Sequence, residues 1–143
     1  MRRGILKEEC PTKLGIRKSE LGIIMKEHNL ILDKSKAFAL RIINLYKYLI
    51  ENGQVYALAN QILRSGTSIG ANVREAVRGQ SKPDFYSKLG IALKEADETA
   101  YWLELLYESD YITKKQYDSL YADCNELIKL LVAITKTQKI PNS

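Results

Sequence analysis

Histidine is nearly missing from this 143-residue chain, with His28 the single example. A di-iron or di-manganese bundle site needs Glu-x-x-His pairs converging from two helices, so a metal centre of that type is excluded. A serine or cysteine nucleophile would likewise lack an imidazole base, because His28 precedes the region of strong helical periodicity. Cysteine is scarce too. Cys10 lies in an unpatterned leader and Cys124 on an apolar stripe near the end, so the two make no disulfide framework, and the expected setting is a reducing cytoplasm. Cys124 reads as core filler. Long apolar runs are also absent: nothing approaches the roughly eighteen uninterrupted residues of a membrane span. The first residues resemble an export signal only through Arg2 and Arg3, since Lys7, Glu8, Glu9, Lys13 and Arg17 break any hydrophobic segment.

What is present is an ordinary globular composition, 45% hydrophobic and 27% charged, with a net charge of +5. The location of that charge matters more than its size. Residues 1 to 24 hold six basic and three acidic side chains. Beyond them, residues 34 to 82 carry +6 and residues 83 to 110 carry −5. The domain is charge-polarised, not uniformly basic.

Residues 1 to 24 show no sustained period and contain Pro11 and three glycines. They are expected to form a flexible leader, or translation from a start upstream of the native one at Met25, with residues 25 to 143 as the domain. From about residue 33 the pattern is helical. A first segment, 33 to 52, has Asp33 as N-cap, a stripe through Phe38, Ala39, Ile42, Leu45, Tyr46 and Leu49, and Gly53 as left-handed terminator. Leu40, Ile43 and Ile50 widen its apolar arc beyond one core seam.

The second segment, 55 to 79, repeats Val55, Ala59, Ile62, Gly66, Ile69, Val73 and Ala76 at alternating spacings of four and three, which is a bundle seam. A third, 82 to 109, opens on Ser81-Lys82-Pro83-Asp84 and repeats from Phe85 through Leu89, Ala92, Ala96, Thr99 and Leu103 to Leu106. The fourth starts at Thr113-Lys114-Lys115-Gln116, a capping box, and repeats from Tyr117 through Leu120, Cys124 and Leu127 to Leu131 and Ile134. Connections of a few residues make neighbours antiparallel. The expected fold is all-α, an antiparallel up-down four-helix bundle.

Three groups of residues carry the functional expectations. Gly66 and Gly70 sit in a helix interior, where each costs about 1 kcal/mol relative to alanine, so close helix packing or a kink should offset them. Arg64, Arg74 and Arg78 fall within about 80° of one another on the helical wheel. Asn60 shares their face, and guanidinium groups on a rigid outward face suit phosphate partners. Glu95 and Glu98 flank Trp102, while Asp97, Glu104 and Glu108 form a separate stripe; both sets are expected to be solvated or interfacial carboxylates, not an acid–base pair.

Three blocks in order, Leu63 to Ala76, Gly79 to Phe85 and Leu93 to Leu103, resemble the bacterial four-helix-bundle proteins encoded in intervening sequences of large-subunit ribosomal RNA genes. The resemblance covers residues 26 to 138. It implies a small cytoplasmic bundle that assembles as a ring, a homopentamer, with no established catalysis; a chain of this length needs no cofactor to hold it together, and none is expected. A related branch, the accessory variability proteins of diversity-generating retroelements, implies nucleic-acid binding and a reverse transcriptase as partner. This chain differs from that branch in its modest charge once the leader is removed, and in Pro83, where relatives often have a second basic residue.

The combined expectation is a non-enzymatic, homo-oligomeric module that binds RNA or DNA without reading sequence, through Asn60, Arg64, Arg74 and Arg78. Leu40, Ile43, Ile50, Asp97, Glu104 and Glu108 are expected to form the contact between subunits. Thin aromatic support on the second helix favours a competing expectation, a structural or protein-interaction scaffold that leaves nucleic acid to a partner.

Overall fold

In a computed structural model of the chain, residues 17–136 are described, and all of the regular structure among them is helical. The helices are α1 (Lys18–Tyr48), α2 (Tyr56–Val77), α3 (Lys82–Glu108) and α4 (Lys114–Lys136), with a π-helical turn, Leu49–Gly53, closing α1. The chain divides into two units, residues 1–30 and 31–143. In the described part of the first, Ile23, Met25 and Leu30 are exposed and His28 is half-buried. Cys10 and the rest of residues 1–16 lie outside the described residues.

The second unit is the four-helix bundle, and each pair of adjacent helices is joined by identifiable contacts. Gly66 and Gly70 of α2 bring it against Ile42 and Ser35 of α1. Ser65 and Thr99 join α2 to α3 through hydroxyls 2.8 Å apart. The Cys124 thiol meets the Ala96 carbonyl at 3.3 Å between α4 and α3. Arg41 of α1 reaches Asp123 of α4 at 2.7 Å and the Ser119 hydroxyl at 2.9 Å, and Lys34 reaches Glu126 at 3.0 Å. Short connections impose the antiparallel order, so the ring of contacts runs α1, α2, α3, α4 and back to α1.

The core is the interior of that ring. Ile62, Ile69 and Val73 of α2, Leu89, Leu103 and Leu106 of α3, and Leu131 of α4 are fully buried. Removing each such side chain from water stabilises the fold by about 1.5 to 3 kcal/mol. The stripes read from the sequence for α2, α3 and α4 are the buried ones, except that Val55, Phe85 and Tyr117 at their first positions pack only partly against the core.

Helix α1 departs from expectation at both ends. Asp33 is not an N-cap: it lies inside a helix that starts at Lys18, and residues 18–24, read as leader, are helical. The seam begins at Ile31 and continues through Ser35 to Phe38, Ile42, Leu45 and Leu49, all buried. Ser35 breaks the hydrophobic pattern, which concealed the first turns. Its hydroxyl is satisfied by the Leu32 carbonyl at 3.2 Å, so burial leaves no orphaned polar group.

At the other end the left-handed residue is Gln54 (φ 52°), not Gly53. The wider π turn adds a residue, and the Gln54 N–H closes it on the Leu49 carbonyl at 2.7 Å. Gly53 is small for another reason. A Cβ there would stand 3.1 Å from the ring of Tyr111.

The remaining termini follow their capping residues. The Ser81 hydroxyl accepts from the Asp84 N–H at 3.2 Å, with Pro83 in the first turn of α3. The box at α4 is reciprocal: the Gln116 N–H meets Thr113 Oγ1 at 3.1 Å and the Thr113 N–H meets Gln116 Oε1 at 2.8 Å. Helix α3 ends in a Schellman motif, with Asp110 left-handed (φ 65°), its N–H on the Tyr107 carbonyl and the Tyr111 N–H on the Leu106 carbonyl.

Candidate nucleic-acid interface

The four residues singled out on α2 do not act alike. Arg64 turns toward α3, pairing with Glu95 at 3.2 Å and with Glu98. The indole N–H of Trp102 donates to the same Glu98 carboxylate at 3.0 Å. That indole, opposed by partial desolvation and aided by Arg64, holds the Glu98 carboxyl below the usual carboxylate range. Glu98 therefore stays ionised at neutral pH and is unsuited to donate a proton as a general acid. Arg64 is a tie between two helices, and its charge is met within the bundle.

Arg74 and Arg78 are different. Both are exposed, one turn apart, and among the described residues neither makes an ion pair with a carboxylate. They stand where two surface grooves meet. One, of about 570 Å³, runs between α1 and α2 over Ser35, Lys36, Thr67, Gly70 and Ala71. The other, of about 710 Å³, runs toward the start of α3 past Gly79, Gln80, Ser81 and Lys88. Lys36 is exposed and without an ion pair among the described residues, whereas Lys88 is tied to Glu75 at 3.1 Å. Asp33, Glu75 and Asp84 line the same grooves and moderate their positive potential. Asn60 is exposed near the opposite end of α2, away from both grooves.

Gly66 and Gly70 form no ligand-binding loop. A Cβ on Gly66 would meet Ile42 at 2.7 Å, and one on Gly70 would stand 3.3 Å from the Ser35 carbonyl oxygen. Of the residues expected at a subunit contact, Leu40 is 55% exposed and Ile43 half-buried, while Asp97 and Glu108 are exposed and Glu104 half-buried. Ile50, half-buried like Ile43, also packs in part against the bundle's own core.

Cys124 is fully buried, and desolvation, reinforced by Asp97 and Asp123, pushes its thiol up to about 12. Among the described residues no group of three or more His, Cys, Asp or Glu side chains could hold a metal, and no helix is long and apolar enough to cross a membrane. One cluster escaped the sequence reading. Tyr107 stacks on Tyr117 with ring centroids 4.8 Å apart, and Tyr121 follows at 5.2 Å. The i, i+4 spacing of Tyr117 and Tyr121 hinted at it; the α3 partner was not visible in one helix's period.

No curated protein matches the chain. Among solved structures it is similar to a protein of unknown function from the S23 ribosomal protein family of Bacteroides thetaiotaomicron. The two share 57% identity and a TM-score of 0.73, over 74% of this chain and 98% of that one. The family model described as 23S rRNA-intervening sequence protein matches residues 27–133, most of the described chain and the whole of α2 and α3. The chain belongs to the 23S rRNA-intervening sequence protein family.

Proposed function

We propose that this protein is a non-enzymatic, self-assembling bundle module whose acting surface is the Arg74–Arg78 junction, and that the junction holds the phosphate backbone of nucleic acid without reading its sequence. The observation that carries the reading is the contrast along α2. Arg64 spends its charge on Glu95 and Glu98, whereas Arg74 and Arg78 keep theirs exposed at the meeting of two grooves. Unpaired guanidinium groups on the last turn and C-cap of a helix are suited to phosphate oxygens. Asn60 and Arg64, originally grouped with them, drop out of the proposed surface.

Self-assembly rests on the outer flank of α1, where Leu40 and Ile43 offer apolar area, and on Asp97, Glu104 and Glu108 of α3, which offer the opposite charge to a neighbour's basic side. A pentameric ring in the cytoplasm is the form proposed. The buried, protonated thiol of Cys124 supports the absence of thiol catalysis. A second reading, a scaffold for a protein partner such as a reverse transcriptase, draws on exposed Tyr101 and Leu40, which suit protein contacts better than phosphate.

A filter-binding titration across salt tests the first reading. Affinity should fall linearly on a log-log plot, and Arg74→Ala with Arg78→Ala should reduce the slope by about 2. Absence of binding at low salt, with the fold intact, leaves only the scaffold.

A further inference from the structure

The geometry points to a duplex, not a single strand, as the nucleic acid that this junction holds; the inference rests on the phosphate-binding reading above. Proteins that hold single strands combine a cationic groove with aromatic rings on which successive bases stack, each worth about 1 to 3 kcal/mol. Neither groove at Arg74 and Arg78 is lined by phenylalanine, tyrosine or tryptophan. The aromatic residues next to the grooves in sequence, Phe85 and Tyr86 near the start of α3, pack edge to face on each other with ring centroids 5.0 Å apart and line neither groove, and Tyr107, Tyr117 and Tyr121 stack where α3 ends and α4 begins.

The floor of the α1–α2 groove also lacks free donors for reading bases. Thr67 gives its hydroxyl to the Leu63 carbonyl at 2.7 Å and Ser35 gives its own to the Leu32 carbonyl at 3.2 Å. Gly70 and Ala71 add only a smooth, close-approach surface. What is left is charge. Arg74 stands in the last turn of α2 and Arg78 at its C-cap, where its N–H bonds to the Arg74 carbonyl at 3.1 Å, with Lys36 across the groove. Binding by charge alone gains mainly from counterion release, which is larger per contact on a duplex than on a single strand because the duplex carries one charge per about 1.7 Å of axis. A duplex is also already ordered, whereas a flexible strand would have to be ordered without stacking to offset the entropy.

The test is fluorescence anisotropy of the full chain with a labelled 20-nucleotide unstructured RNA and with the same strand annealed to its complement. For three displaced counterions the duplex should bind about sixfold more tightly at 50 mM salt, with a log-log slope of about −2.7 against about −2.1 for the single strand. The double variant Arg74→Ala/Arg78→Ala should lose most of that preference, while Lys94→Ala, an exposed lysine on α3 outside both grooves, should keep it; circular dichroism verifies that both variants are folded. Equal or tighter binding of the single strand, still sensitive to the double variant, overturns the duplex inference and leaves phosphate binding standing. If neither nucleic acid binds at 50 mM salt, the phosphate-binding reading fails and the duplex inference with it.

Discussion

A Cβ built on Gly66 would lie 2.7 Å from Cγ1 of Ile42 and 2.8 Å from its Cγ2, so the α1–α2 contact is set by the absence of one methyl group. Ile42 is fully buried and β-branched, with little freedom to swing aside. Gly66→Ala should therefore destabilise the bundle by about 1 to 3 kcal/mol in spite of the helix propensity gained. In a denaturation cycle with Ile42→Ala, the double variant should be more stable than the sum of the two singles predicts. Gly90 provides the contrast: it has nothing within 4 Å of its Cβ position, so Gly90→Ala should stabilise by about 0.5 to 1 kcal/mol.

Gly70 faces backbone, the Ser35 carbonyl oxygen standing 3.3 Å from its Cβ position. Alanine needs a shift of only a few tenths of an ångström, whereas Gly70→Leu should cost more than about 2 kcal/mol. An unchanged melting temperature for the leucine variant would show that α1 and α2 can separate at this point without loss.

The Glu98 carboxyl, lowered first by the Trp102 indole and then by Arg64, links stability to acid. A carboxyl depressed in the folded state contributes above its unfolded pKa, about 4.3, and that contribution is lost as pH falls through the lower folded value. Urea midpoints measured from about pH 6 down to pH 2 should fall less steeply for Glu98→Gln than for the parent. Parallel curves would assign the acid sensitivity to other carboxylates.

Cys124 works in the opposite direction. Its thiol, pushed up to about 12, remains protonated when folded, so the stability it adds is complete below the unfolded value of about 8.5 and declines as pH rises toward 12. At neutral pH iodoacetamide should label Cys124 only through unfolding, at a rate that urea accelerates. Rapid labelling of the native chain at this residue, located by peptide mass mapping, would contradict its burial.

For assembly, Ile43→Asp should dissociate the oligomer, because a charge would be placed in the apolar part of the contact. Glu104→Gln should leave it assembled and change its salt dependence only. Light scattering at micromolar concentration distinguishes these outcomes, and a monomer for the parent chain would remove both the ring and its interface.

Much of the bundle was legible before any coordinates. The alternation of four and three from Ala59 to Ala76, Leu89 to Leu106 and Leu120 to Ile134 identifies three buried stripes, since a helical period reports which side chains share a face. Thr113 and Gln116 mark the start of α4 because a hydroxyl and an amide three residues apart can satisfy two orphan N–H groups. The first turns of the α1 seam were hidden by Ser35, whose small polar side chain makes sense only beside Gly70.

A period does not say what stands opposite a face. On one helical wheel Arg64, Arg74 and Arg78 are equivalent, and only the packing of α3 beside α2 gives Arg64 two carboxylates while leaving the other two exposed. The same holds for Gly53, where Tyr111 arrives from the far end of α3, and for Tyr107 and Tyr117, which stack across two helices. Sequence by itself determined α2, α3 and α4 and their buried sides, because propensity, capping and period are local. Tertiary structure decided which charges are spent and which remain, because pairing depends on distances between helices that no local pattern contains.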